Sequence, residues 1–117
     1  MTRPAQALPD VSDLRDLSRF LVALGDPTRQ QILLVLSRER LNVSQLASRF
    51  HLSRPAISHQ LKVLSDAGLL IQDRLGRERR YRLDSASCQR FVERLSTFVQ
   101  ECCGASGCGP LSRPLSR

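Results

Sequence analysis

Two helix-start signals stand close together near the middle of the chain, with room between them for one short helix and a tight turn. Asn42-Val-Ser-Gln45 offers an N-cap followed three residues later by glutamine, close to a capping box. The short helix it opens is expected to bury Leu46, Ala47 and Phe50. His51-Leu52 then leads to Ser53, a second good cap. The next helix, Arg54 to Ala67, carries Ile57, Leu61 and Leu64 on one face and stops at Gly68. Two helices joined this tightly form a helix-turn-helix layout.

The flanking segments complete a domain around that pair. Val11, Leu14, Leu17, Phe20, Leu21 and Leu24 recur at helical spacing, and that helix ends at Gly25. Asp26-Pro27 caps and opens another, running through Ile32, Leu33, Val35 and Leu36. Beyond Gly68 the period changes. Residues 69–83 read as a β-hairpin turning at Gly76, with Arg74, Arg77, Arg79, Arg80 and Arg82 at its tip and on its second arm. A last helix begins near Ser85 with Phe91, Leu95, Phe98, Val99 and Cys102 along one stripe. The expected fold is mainly α with a β-hairpin wing, a winged helix-turn-helix over residues 11–103. Residues 1–10 and 104–117, rich in Pro, Gly and Ser, read as mobile ends. The first and last helices carry more apolar surface than so small a domain can cover, so pairing with a second copy, a homodimer, is the economical solution.

Charge points the same way as the layout. Eighteen Lys+Arg stand against eleven Asp+Glu for a net +7, and every cation but Lys62 is arginine, whose fork suits phosphates and guanine edges. Four Phe, one Tyr and no Trp leave few rings for stacking unpaired bases, which favours duplex DNA over single strands. No stretch reaches the roughly 20 apolar residues of a membrane span, and residues 1–10 lack the apolar run of a signal peptide. The protein is therefore expected to be cytoplasmic, with reduced thiols and no membrane partner. No phosphate loop, nucleophile–base pair or acid pair stands at a recognisable spacing, so neither an enzyme with a small-molecule substrate nor a catalytic cofactor is expected.

Three segments, in order, resemble the ArsR/SmtB family of metalloregulatory repressors: Leu24-Gly-Asp-Pro-Thr-Arg-Gln-Gln-Ile32, Ser53-Arg-Pro-Ala-Ile-Ser-His-Gln-Leu-Lys-Val-Leu-Ser-Asp-Ala-Gly-Leu69 and Gly76-Arg-Glu-Arg-Arg-Tyr-Arg-Leu83. The resemblance runs over roughly residues 12–103. It implies a homodimer joined through its terminal helices, which holds an operator when metal-free and releases it on binding a ligand. With Ile57, Leu61 and Leu64 facing inward, Ser53, Arg54, Ser58 and His59 are candidates for base or phosphate contact, and Lys62 for phosphate. Ser53 is a helix cap first. A Ser-x-His step at this place in the family's recognition helices supports His59, whereas His51 shapes the turn. Arg77, Arg79 and Arg80 are the wing's candidate phosphate or minor-groove contacts; alternation turns some of the five arginines away. A dimer would address two half-sites about 34–36 Å apart, or a multiple of that, in an imperfect inverted repeat.

The family places its ligands variously. Its Cys-x-Cys site before the recognition helix is missing here, because residues 42–50 hold no cysteine, and the last helix has no histidine for an Asp/His zinc site. What remains is Cys102-Cys103-Gly-Ala-Ser-Gly-Cys108. Two adjacent thiols at a helix end, with a third able to fold back, suit a soft three-coordinate ion such as trivalent arsenic or antimony. The site is similar to C-terminal cysteine sites of arsenite-responsive members, which makes arsenite or antimonite the expected effector. Cys88 lies roughly 21 Å up the helix and can join only from a partner chain. A thiol-based redox or reactive-sulfur sensor, or a zinc- or cadmium-responsive repressor, stands as the alternative on the same scaffold. Cys102 also has a purely packing reading.

Overall fold

The computed structural model describes residues 11–103, with side chains from residue 14 onward; the two expected mobile ends lie outside the described residues. Five helices and one hairpin follow in the expected order: α1 Val11–Leu24, α2 Pro27–Leu36, α3 Val43–Phe50, α4 Arg54–Asp66, β1 Leu70–Leu75, β2 Glu78–Leu83 and α5 Ser85–Cys103.

Local chemistry sets each boundary. The Asp26 carboxylate accepts from Arg29 N at 3.0 Å, and Pro27, which has no N–H to leave unsatisfied, opens α2. At α3 the capping box is complete: Gln45 N donates to the Asn42 carboxamide oxygen and Asn42 N to the Gln45 oxygen, both at 2.8 Å. The Ser53 hydroxyl accepts from Ala56 N at 3.1 Å and caps α4. Ala67, expected as the last residue of that helix, is its C-cap instead. Gly68 follows at φ 83°, a left-handed turn that sends the chain straight into the hairpin. An added Cβ there would sit 3.9 Å from the Phe91 ring, ordinary contact distance, so the backbone angle and not crowding calls for glycine.

The core lies where α1, α2, α3 and α4 meet, with Ile32, Leu36, Leu46, Ile57, Leu61, Leu64 and Leu69 almost wholly out of water and Leu17, Phe20 and Ala23 of α1 buried beside them. Each such side chain stabilises the fold by about 1.5–3 kcal/mol relative to exposure. Phe50, expected inside, is only half-buried against this cluster. The hairpin pairs antiparallel from Leu70↔Leu83 to Leu75↔Glu78, around Gly76 at φ 67°. On its outer edge Tyr81 exchanges both backbone hydrogen bonds with Leu41, at 2.8 and 3.3 Å, which welds the hairpin to the residue just before the α3 cap. Phe91 of α5 stacks on Phe20 of α1, with ring centroids 4.4 Å apart. Together with the Asp16–Arg94 ion pair at 3.4 Å, this sets the terminal helices side by side.

Candidate nucleic-acid interface and thiol site

Helix α4 divides cleanly. Ile57, Leu61 and Leu64 are buried, while Ser53, Arg54, Ser58, His59 and Lys62 are all exposed. Ser53 is engaged as the cap, although its hydroxyl keeps further hydrogen-bonding capacity. Lys62 Nζ lies 3.3 Å from Asp66 Oδ2 in an i,i+4 pair with both side chains well exposed. Such pairs are worth about 0.3–0.5 kcal/mol, so a phosphate can displace the carboxylate at little cost. His51 is the C-cap of α3 at φ 55°, shaping the turn as its place in the sequence suggests.

On the wing the five arginines separate into two groups. Arg80 Nε donates to Glu78 Oε1 at 3.1 Å, and Arg82 Nε donates to Asp73 Oδ2 at 2.9 Å, a carboxylate that Arg40 also approaches at 3.7 Å. The second Glu78 oxygen accepts from the Asn42 carboxamide. That bond, followed by the Arg80 guanidinium, holds the Glu78 carboxyl below its ordinary pKa. Arg74, Arg77 and Arg79 are exposed and have no ion pair among the described residues; Arg74 and Arg79 stand directly opposite each other. Of the three wing candidates, then, Arg77 and Arg79 present free charge, and Arg80 reaches a phosphate only by leaving Glu78. Glu78 and Arg80, two residues apart on one strand face, were a legible signal for that pair.

Cys102 and Cys103 are the last two residues of α5, the first exposed and the second half-exposed. Cys108 lies outside the described residues. Cys88 is half-buried against the core at the other end of the same unbroken helix, and burial first, then the Asp84 carboxylate, pushes its thiol pKa up. Among the described residues no three His, Cys, Asp or Glu side chains gather to hold an ion. The donors present are nonetheless soft: two adjacent, accessible sulfurs with no histidine or carboxylate beside them in sequence except Glu101.

Apolar side chains continue along α5 past the point where α1 covers them. Val92 is 59% exposed, Phe98 42% and Val99 41%, and Leu21 and Val22 of α1 are also open.

Arg29, which in the sequence is only one residue of the run 24–32, sends its side chain to α1 and α4 at once. Its signal was a charged residue in the first turn of an otherwise uncharged helix, with a partner too distant in sequence to infer.

Residues 26–72 match the profile of the bacterial regulatory protein, arsR family. The chain is 31% identical over 99 residues to a transcriptional repressor SmtB homolog of Synechocystis sp., covering 82% of this chain and 75% of that protein. It is 32% identical over 91 residues to the arsenical resistance operon repressor of Staphylococcus aureus, covering 75% and 88%. An ArsR-like transcriptional regulator from Rhodococcus sp. RHA1 superposes with a TM-score of 0.71 at 34% identity, over 80% of this chain and 86% of that one.

Proposed function

Because this chain belongs to the ArsR family of transcriptional repressors, we propose that it is a homodimer that holds an inverted-repeat operator and releases it when trivalent arsenic or antimony binds Cys102, Cys103 and Cys108. As a winged helix-turn-helix repressor it reads duplex DNA and performs no catalysis. In the proposed complex Arg54, Ser58 and His59 meet the major groove, Ser53 and Lys62 meet phosphate, and Arg77 and Arg79 follow the backbone or minor groove. Arg80 joins on leaving Glu78. The exposed apolar residues of α1 and α5 support pairing of two copies through those helices. A cytoplasmic location fits a regulator of this kind, and no described helix is long and apolar enough to cross a membrane.

The observation that carries the effector reading is the pair of accessible thiols ending α5, the same helix whose apolar face is left uncovered. Thiolates select soft ions, and the ion itself drives their deprotonation. An ion held there would bias how two paired copies sit and so the spacing of their recognition helices. Emptying the operator requires binding the DNA-free form more tightly by several kcal/mol. An arsenical resistance operon repressor stands among the relatives, which supports arsenic as the effector.

The test is release of a fluorescent operator duplex from the reduced protein by arsenite, antimonite, zinc or cadmium, in wild type and in Cys102→Ser, Cys103→Ser and Cys108→Ser. Release by arsenite at one ion per monomer, lost in all three variants, is expected. Release by peroxide or persulfide but not arsenite would replace this effector with thiol oxidation. Release that survives the serine variants would remove the site.

A further inference from the structure

Arg29 sits in the first turn of α2, half-buried, and joins three helices. Its backbone N–H completes the Asp26 cap. Its guanidinium donates from Nε to Ala23 O at 2.8 Å and from Nη2 to Val22 O at 3.0 Å, two carbonyls in the last turn of α1, of which Val22 O also accepts from Gly25 N at 3.1 Å. The positive charge lies on the negative end of the α1 dipole, and Gln30 Nε2 adds a bond to Leu24 O at 2.7 Å. The remaining arm, Nη1, donates to Gln60 Oε1 on α4 at 2.9 Å. One planar, preorganised group thus spans the end of a terminal helix and the flank of the recognition helix.

Gln60 occupies a telling place on α4. By the 3.6-residue period it borders the buried Ile57–Leu61–Leu64 stripe on the side away from Arg54, so it faces neither the core centre nor the proposed DNA-facing side. Aliphatic packing resists translation of a helix well but resists rotation about its own axis poorly. A directional hydrogen bond at the edge of the stripe supplies the missing constraint. Side-chain tips ride about 5–6 Å from the axis, so a rotation of about 20° would move Ser58, His59 and Lys62 by about 2 Å. A base-edge hydrogen bond does not survive such a displacement, whereas long arginines can still find phosphate.

We propose that Arg29 is a positioning residue for DNA reading: it fixes the rotational setting of α4 through Gln60, with the end of α1 as its fixed point. Specificity, more than affinity for DNA in general, depends on this strut. The proposal holds whichever ion the thiols take, since it concerns the DNA-bound form alone.

The test uses the purified full chain and two duplexes: one enriched by the wild-type protein from a random-sequence pool, and one of unrelated sequence. Gln60→Leu removes the α4 end of the strut and leaves the α1 cap in place. Arg29→Lys keeps the charge but cannot reach three oxygens at once. Each is expected to weaken the enriched duplex by about fivefold or more, with the unrelated duplex changed by less than about twofold; thermal unfolding falls somewhat, more in Arg29→Lys, which also loses bonds to α1, than in Gln60→Leu. The double variant should lose no more than the larger single one, because both remove the same bond. Wild-type affinity of Gln60→Leu for the enriched duplex would overturn the proposal. So would equal loss on both duplexes, which indicates general damage, and so would additive losses, which indicate that the two residues act apart.

Discussion

His51 is the one non-glycine residue among those described with a left-handed backbone, and it caps α3 at the centre of the turn before α4. An L side chain in that region costs about 1–2 kcal/mol, while glycine gives back about 0.5–1 kcal/mol through its freer unfolded chain. His51→Gly is therefore expected to raise stability by about 0.5 kcal/mol in urea unfolding, and the β-branched His51→Val to lower it by more than that. A second residue-scale prediction concerns Asp84, which precedes α5. Ser87 N donates to its carboxylate at 3.1 Å and Ser87 Oγ at 2.8 Å, and these bonds hold its pKa below the ordinary carboxylate value. Asp84→Ala should cost about 1 kcal/mol near neutral pH, the usual worth of a side-chain cap. A lowered folded pKa means that the stabilisation is present above the unfolded carboxylate pKa and lost as pH falls through the folded one. The urea midpoints of wild type and Asp84→Ala should accordingly draw together as pH falls below the ordinary carboxylate value. Caps of this kind were legible in the sequence because cap and capped amide lie within three residues; Arg29 and Gln60 were not, because only the finished fold brings them together.

At the scale of elements, the wing is more firmly attached, and less fully charged, than its arginine count suggests. The Leu41–Tyr81 bridge and the Asn42–Glu78 bond tie it to the start of the helix-turn-helix, so hairpin and α3 cap move as a unit. The hairpin itself, its Gly76 turn and its arginine cluster were readable from the change of period after Gly68. Which arginines stay free was not, since it depends on Asp73 and Glu78 meeting particular partners across and along the strands. Glu78→Gln keeps a hydrogen-bonding oxygen for Asn42 but releases Arg80. The slope of log affinity against log salt is then expected to steepen by about 0.9 for each Arg80 that takes up a phosphate, measured by fluorescence anisotropy on any duplex. An unchanged slope would mean that Arg80 stays off the DNA.

For the whole molecule, the order of elements was legible because each segment repeats its own period, and because the helix-turn-helix is bounded by caps. The sequence also showed a surplus of apolar surface on the terminal helices, but not that α1 covers Phe91 and leaves Val92, Phe98 and Val99 open on the same helix. Phe98→Glu puts charge into the proposed pairing face at a position already in water in the single chain. It should shift sedimentation toward the monomer, weaken operator binding by more than about tenfold, and leave the circular dichroism of the fold essentially unaltered. Persisting dimers would place the contact elsewhere. In the proposed pairing, a terminal helix that finds full cover only in company also makes abundance a signal. Below some copy number per cell such a regulator would stop existing as a working unit, so a daughter cell that inherits too few molecules would express the controlled genes with no effector in sight.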